Sequence, residues 1–458
     1  MRTIARFLSR VAERALPDAF IFLVLLTLIV FALGIGRGTS PREVLDLWGE
    51  GFFSILEFTM QSTLMLVLGF ALANTPPVHK ALRRFASLPR NETQVIIVTV
   101  LVMMAASWIS WGFGLIAGGI VAREMGVVHR GKVHYPLVVA SAYAGFLVWH
   151  AGYGGSIPQL IATPGHFLED KIGVIPVGET IFSTTTLAIL AGLVVTVPVA
   201  LVFMRPTAEE RVSLPESVLS ERNSTPDELR DETAAPAYGP GAAHAQEVEP
   251  RRPYLAERLE LMRIVPLILG ILGLLYLVSY YAGGGVLNIN MVIYSFLVAG
   301  LLLMPSVREY LNQLGGGAKV AAAIIVQFPF YGALMGVMVG TGMAAALANF
   351  FVGISSAETL PFWAFISGGI INMFVPSGGG QWAVQGPIMM EAASQLGADN
   401  GATAMGVAWG DAWTNMIQPF WALPLLAIAG LGIRAIMGYT AVLLFVSGAV
   451  IGLGLLFL

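Results

Sequence analysis

The sequence predicts an all-α polytopic membrane protein, and three observations support this fold class. First, 56% of the 458 residues are hydrophobic and only 12% are charged, with a mean hydropathy of +0.76, whereas soluble domains average about 25% charged residues. Second, the chain contains several apolar runs of about 20 residues, which is the length that spans a bilayer as a helix. Third, most basic residues lie in segments on one predicted side of the membrane.

The alternation of apolar and polar stretches divides the chain into five parts. The first part carries arginines at roughly helical spacing and no small-residue cleavage site, so we predict a cytoplasmic amphipathic segment that is not removed. A polar stretch with few large apolar residues predicts a flexible cytoplasmic linker. The predicted parts are the N-terminal segment 1–19, a first membrane repeat 20–204, the linker 205–263, a connecting helix 264–287 and a second repeat 288–458.

Two apolar runs are too long for one comfortable crossing and too short for two. They cover residues 93–122 and 360–388, and each contains a cluster of glycines near its middle. We therefore predict two re-entrant hairpins whose turns lie near Ser110 and Ser377. Non-helical backbone is tolerated at membrane depth where protein covers it or where it lines a cavity.

The two halves share an order of elements at an offset of 266 residues. Glycine and proline clusters near Gly155 and Asn415 predict one broken helix in each half. The complete prediction is two inverted repeats with about nine transmembrane helices plus two re-entrant hairpins and two broken helices, a pattern typical of secondary transporters. The matching pairs are Gly112 and Gly378, Gly114 and Gly380, Pro158 and Pro424, and Gln61 and Gln327.

The distribution of basic residues predicts the orientation of the chain. With a cytoplasmic N-terminus, only Arg37, Arg42 and Lys171 of the 25 Lys and Arg residues lie outside the cell membrane. Basic residues are enriched in cytoplasmic loops. We therefore expect a multi-pass protein of the cell inner membrane, surrounded by the lipid bilayer, with a cytoplasmic N-terminus.

The glycine-rich turns are the first candidates for binding a carboxylate. A helix N-terminus at such a turn offers free N–H groups and the positive end of the helix dipole, and glycine allows a ligand to approach the backbone. The alternative is that the glycines only permit close helix packing. The candidate substrate-binding residues are Ser110, Trp111, Gly112, Gly114, Gly155, Ser156, Gln327, Ser377, Gly378, Gly379, Gly380, Gln381 and Trp382.

A lone acid in an apolar run is the first candidate for coupling a cation to transport. Asp411 lies at predicted membrane depth, where an ionisable residue is costly and marks function by default. His150 stands beside a predicted break and could carry a proton, although a lone histidine is more often structural. Asn372, Asn415 and Gln418 complete the candidate set, and each could instead link helices. The coupling ion is H+ or Na+, and the residues leave this choice open.

Several function classes lack support in the sequence. No HExxH, GxSxG, Walker A or CxxC motif occurs, and the six histidines are scattered along a chain without cysteine. We therefore expect no enzyme activity, no bound metal or other cofactor and no nucleic-acid partner. An anion channel stays an alternative, although inverted hairpins favour alternating access.

Four stretches carry a family resemblance, namely SWGFGL at 110–115, VQFPFY at 326–331, VPSGGGQW at 375–382 and QPFWALP at 418–424. Apart from the linker, the chain resembles the bacterial short-chain fatty acid transporters of the acetoacetate and butyrate permease type. The resemblance implies uptake of short-chain monocarboxylates, membership of the wider ion-transporter superfamily and a homodimer.

The expected activity is symport of a carboxylate such as butyrate or acetoacetate with a cation. No lysine or arginine lies near either glycine motif, which favours a monocarboxylate over a dicarboxylate. Transport of another organic anion on the same scaffold stays an alternative, as does an uncoupled anion channel or facilitator.

Overall fold

The structure is a computed structural model that describes residues 19–216, 218 and 254–458. Every regular element in these residues is helical, which confirms the predicted all-α fold class. Seven helices in the described part of the chain are long and apolar enough to cross a membrane. The predicted amphipathic N-terminal segment and most of the predicted linker lie outside the described residues.

The described residues form two successive sets of α-helices. The first set comprises α1 (Ala19–Gly36), α2 (Pro41–Gly51), α3 (Leu56–Ala73), α4 (Pro76–Ala86), α5 (Glu92–Ile109), α6 (Trp111–Val128), α7 (Tyr135–Ala144), α8 (Ser156–Ile161), α9 (Glu169–Ile172) and α10 (Thr184–Phe203). The second set comprises α11 (Leu255–Leu261), α12 (Ile264–Ala282), α13 (Ile289–Leu303), α14 (Val307–Gly340), α15 (Met343–Ile354), α16 (Leu360–Asn372), α17 (Gly378–Leu396), α18 (Asn400–Thr414), α19 (Pro419–Ala429) and α20 (Met437–Phe457).

The two sets follow a similar order at a nearly constant spacing. Helix α2 begins at Pro41 and α14 begins at Val307, and a hairpin, a broken helix and a long single helix follow in each half. The halves differ at residues 52–55, where the first half has turns between α2 and α3 while α14 runs on without a break. Whether the halves are inverted in the membrane stays a prediction.

Helices α5 and α6 form the first hairpin. Ser110 between them is extended, and its Oγ accepts a hydrogen bond of 3.4 Å from the Phe113 N–H, which caps α6. Each arm has 18 residues, so each is about 27 Å long at 1.5 Å per residue. Helix α6 continues beyond the predicted 93–122 through Glu124, whose carboxylate lies 3.4 Å from the Arg83 side chain. Re-entry from one side of the membrane stays a prediction.

Helices α16 and α17 form the second hairpin. Ser377 ends the turn between them, and its Oγ accepts a hydrogen bond of 3.3 Å from the Gly380 N–H at the start of α17. This helix continues beyond the predicted 360–388 through Glu391, which accepts a hydrogen bond of 2.8 Å from Lys171. This end of α17 is therefore held by the short helix α9 of the first half.

Both predicted breaks are present. Helix α7 passes into a 3-10 segment, Gly145–Ala151, before α8 begins, and α18 passes into Asn415–Ile417 before α19 begins. Helix α18 packs along α16 and contacts the first break, and α3 packs along α14. Hairpins and broken helices therefore meet in the interior of the molecule.

Candidate functional site

The two broken helices are joined by a hydrogen bond between equivalent positions of the two halves. The Trp149 Nε1–H donates to Asn415 Oδ1 at 3.0 Å, and these residues are 266 positions apart. The Tyr143 hydroxyl donates to the Asn415 carbonyl oxygen at 2.6 Å. All three side chains are buried, so the breaks are fixed to one another inside the protein.

Next to this contact lies a buried pair of ionisable side chains. His150 Nε2 is 3.1 Å from Asp411 Oδ2, and both side chains are 0% exposed. Among the described residues, neither His150 Nδ1 nor Asp411 Oδ1 has a hydrogen-bond partner. A buried carboxylate is costly unless a partner neutralises it, so each of these side chains depends on the other.

Amide side chains extend this pair into a network. The Asn372 side-chain amide donates to the Asp411 carbonyl oxygen at 2.8 Å and to Thr414 Oγ1 at 2.9 Å. The Gln418 amide donates to the Asn372 carbonyl oxygen and accepts from the Asn415 amide at 3.3 Å. All the residues that the sequence predicted for cation coupling therefore lie in one buried network.

The second hairpin lies directly on the ionisable pair through its glycines. A Cβ atom at Gly378 would lie 2.5 Å from His150 Nε2, and one at Gly379 would lie 2.2 Å from the Phe58 ring. The third glycine of the motif lies equally close to the Tyr331 ring. No larger side chain fits in these positions, so the glycines place the start of α17 against the imidazole.

The first hairpin packs on the first break instead. A Cβ atom at Gly154 would lie 2.5 Å from the Ser110 Cα. Gly112 faces Leu66 of α3, and a Cβ atom at Gly114 would lie 2.5 Å from a serine in the other arm of the same hairpin. In this structure Gly112 and Gly114 serve close helix packing, which is the alternative that the sequence left open. Neither has a contact with the ionisable pair here.

Two predicted residues of α17 lie deeper in the second hairpin. The Gln381 side-chain amide donates to the Gly368 carbonyl oxygen and to Gln385 Oε1, both at 2.9 Å, and so ties the two arms together. The Trp382 ring is fully buried and packs over Gly386 of its own helix. Both side chains hold the hairpin rather than face its turn.

The remaining predicted residues surround the first break or lie apart from it. The Trp111 ring packs edge-on against Trp149, with ring centroids 6.3 Å apart. A Cβ atom at Gly155 would lie 2.6 Å from the His150 carbonyl oxygen. Ser156 is half-buried at the start of α8, and Gln327 is half-buried on α14, so neither belongs to the network around Asp411.

The residues predicted for the site from the sequence did not include Trp149, Tyr143 and Phe58. Trp149 carried a usable signal, because it aligns with Asn415 at the same 266-residue offset as the matching glycines. Tyr143 and Phe58 carried none, since an aromatic residue in an apolar run is usually part of a packed core.

Comparison with known proteins decides the family. The short chain fatty acid transporter family matches residues 1–458. The chain belongs to this family. It is 40% identical over 454 residues to a protein of Escherichia coli (strain K12) that is named as a candidate short-chain fatty acid transporter, covering 99% of this chain and 98% of that one. A Haemophilus influenzae protein of the same name is 36% identical over 464 residues, and the match covers 99% of this chain and 99% of that one.

Family membership confirms the resemblance and makes this chain a membrane transporter and not an enzyme. Two solved transporters share the fold at low sequence identity. The YdaH transporter of Alcanivorax borkumensis has a TM-score of 0.55 and 13% identity, with 95% of this chain and 98% of that chain covered. MtrF of Neisseria gonorrhoeae, described as one of a class of antimetabolite efflux pumps, has a TM-score of 0.58 and 14% identity, with 98% and 97% covered.

Proposed function

We propose that this transporter carries short-chain carboxylate anions such as butyrate or acetoacetate together with a proton, and that His150 and Asp411 hold the proton. The observation that carries the proposal is the 3.1 Å contact between these two buried side chains. His150 of this pair also packs against Gly378 of the second hairpin. A single proton shared between Nε2 and Oδ2 removes the net charge of the pair. An imidazole accepts protons near neutral pH.

The position of the second hairpin gives a physical basis for coupling. The first N–H groups of a helix have no helical partner, so Gly378 and Gly379, with the Ser377 hydroxyl, form the proposed carboxylate site. A substrate anion there would lie beside the ionisable pair. Like charges repel strongly in a low-dielectric interior, so the anion binds better when the pair is protonated. Proton and anion then favour each other's binding, as symport requires.

The same contacts support a moving hairpin. A carboxylate needs room where Gly378 now packs on His150, so the second hairpin must shift to admit it. We propose that hairpins and broken helices move as a unit against a scaffold that includes α3 and α14. We also propose a homodimer in the inner membrane with a cytoplasmic N-terminus, an orientation that the distribution of Lys and Arg supports.

Sodium symport is a second candidate, favoured by a different observation. Within the described part of the chain, Asp411 Oδ1, Asn372 Oδ1 and Gln381 Oε1 are buried without a hydrogen-bond partner. Oxygen atoms of this kind, with the carbonyls of a broken helix, coordinate sodium in other transporters. The proton is preferred because the second Asp411 oxygen already contacts an imidazole nitrogen, which binds protons more readily than sodium.

Uptake of radiolabelled butyrate into proteoliposomes tests the proposal, with a proton gradient and a sodium gradient imposed separately. We expect accumulation above equilibrium under an inward proton gradient and none under a sodium gradient alone. Accumulation under sodium alone would transfer the coupling role to that ion. Equilibration without accumulation would contradict symport and support a facilitator, and absence of butyrate movement would leave another organic anion as the substrate.

A further inference from the structure

A partly open cavity lies between the start of α3 and the chain at the end of α8. Its volume is about 80 Å³, and its walls come from the start of α3 and from the chain that follows α8. The polar lining includes Ser54, Glu57, Gln61, Thr163 and His166, and no lysine or arginine contributes to it. Such a space can hold a few water molecules or a short acyl chain.

The inner wall of the cavity is an aromatic ring. Phe58 lines the cavity and stacks on Phe328 of α14, with ring centroids 5.9 Å apart and planes 26° apart. It also meets Phe167 at an angle, with centroids 6.4 Å apart. Phe58 is 3% exposed, and its ring is held by two aromatic residues from different parts of the chain.

The same ring touches the start of α17 in the second hairpin. Gly379 lies against it, and the preceding residue, Gly378, lies against His150. One aromatic ring and two glycines therefore separate the cavity from the ionisable pair. These contacts lie between the cavity and the proposed carboxylate site.

We propose that the cavity is an access chamber for the short-chain carboxylate, and that Phe58 is the gate and the acyl-length limit between it and the second hairpin. The identity of the substrate rests on the function proposed above, whereas the gate rests on contacts alone. Moving the ring away from Gly379 opens the path and frees this glycine to meet the carboxylate, while Gly378 is freed by the hairpin shift proposed above. A larger ring leaves less room for an acyl tail beside the hairpin.

The cysteine-free sequence allows a direct test by labelling single cysteines with an anionic methanethiosulfonate reagent. Ser54→Cys places the reactive thiol in the chamber, and Ser377→Cys places it beyond the gate. In oriented vesicles, Ser54→Cys should react from one side only. In the unchanged protein, the open form of the gate is a minor population on the order of 10% or less. Phe58→Ala removes the gating ring, so the labelling rate of Ser377→Cys from that side should rise by about tenfold or more.

Phe53→Ala is the matched control, because this ring is exposed and does not line the chamber. It should leave the labelling of Ser377→Cys unchanged. The gate would be contradicted if Ser377→Cys were labelled at the same rate with and without Phe58→Ala, in protein that stays monodisperse. This readout needs neither proton coupling nor substrate transport, so its failure is distinct from failure of the proposed function.

Exchange of labelled acids of increasing length tests the second half of the proposal. Phe58→Ala should extend exchange from butyrate to hexanoate, and Phe58→Trp should restrict it to acetate. An unchanged length preference in both variants would show that the gate does not set substrate length, even if the labelling result held.

Discussion

Trp149 donates a hydrogen bond to Asn415 across a separation of 266 positions, and this bond joins the breaks of the two broken helices. Replacing the indole with a phenylalanine ring leaves the buried Asn415 Oδ1 without its donor. An unsatisfied buried polar group costs about 1–3 kcal/mol. We therefore expect Trp149→Phe to lower the thermal unfolding midpoint in detergent more than Trp409→Phe, since the Trp409 N–H has no partner among the described residues.

A double-mutant cycle isolates the bond from the lost ring volume. The double variant Trp149→Phe/Asn415→Ala should lose less free energy of unfolding than the sum of the losses in the two single variants. Strict additivity would indicate that the contact contributes nothing to stability.

Gly378 is expected to be indispensable for transport. A methyl group there would lie 2.5 Å from His150 Nε2, so Gly378→Ala should displace the hairpin from the ionisable pair and abolish gradient-driven butyrate uptake. Gly353→Ala is the matched control, because nothing lies within 4 Å of a Cβ atom at that position. Full uptake by Gly378→Ala would mean that the close contact is not required in the transport cycle.

Glu57 should make the access chamber select against doubly charged substrates. Its carboxylate lines a cavity without lysine or arginine. Each extra negative charge costs about 1 kcal/mol at 4 Å in water, which corresponds to about a fivefold change in rate. Glu57→Gln should therefore raise the ratio of succinate to butyrate transport by about fivefold. Glu50→Gln, an exposed change outside the chamber, should leave this ratio as it is, and an equal rise in both variants would contradict the chamber's role.

The loop after α8 should loosen at acidic pH through His166. The Leu168 N–H donates to His166 Nδ1 at 3.2 Å, so Nε2 carries the hydrogen that meets the Gly173 carbonyl oxygen at 3.0 Å. Burial lowers the pKa of His166 from its ordinary 6.5. At acidic pH the folded loop therefore binds fewer protons than the unfolded loop. The contribution of His166 to the free energy of unfolding is fully present above about pH 6.5 and is lost as the pH falls through the pKa of the folded state.

Hydrogen exchange of the peptide covering 161–175 measures this effect. After correction for the intrinsic rate, protection should be lower at pH 5 than at pH 7. His166→Gln keeps a donor and an acceptor but does not titrate, so its protection should not depend on pH. Equal pH dependence in both proteins would remove His166 as the cause.

Features of the site that depend on residues close together in the sequence could be predicted. Contacts between residues far apart in the sequence could not, because they depend on how the helices pack. The turns near Ser110 and Ser377 are predictable because each lies in an apolar run that is too long for one crossing and has a cluster of glycines near its middle. Asp411 was predicted because a lone acid in such a run is itself unusual. Its contact with His150 spans 261 positions, and only the packing of the two broken helices brings the pair together. Whether a glycine such as Gly114 meets a ligand or a neighbouring helix likewise depends on the fold.

The proposed exchange of the coupling proton at Asp411 is tested by the variant Asp411→Asn. An asparagine imitates the protonated acid but cannot release a proton. We predict that this variant keeps butyrate exchange between two equal pools and loses accumulation under a proton gradient. Asp399→Asn, the same change at the exposed N-cap of the same helix, should retain both activities. Proton-driven accumulation by Asp411→Asn at the level of the unchanged protein would contradict the proposed role of Asp411 in proton coupling.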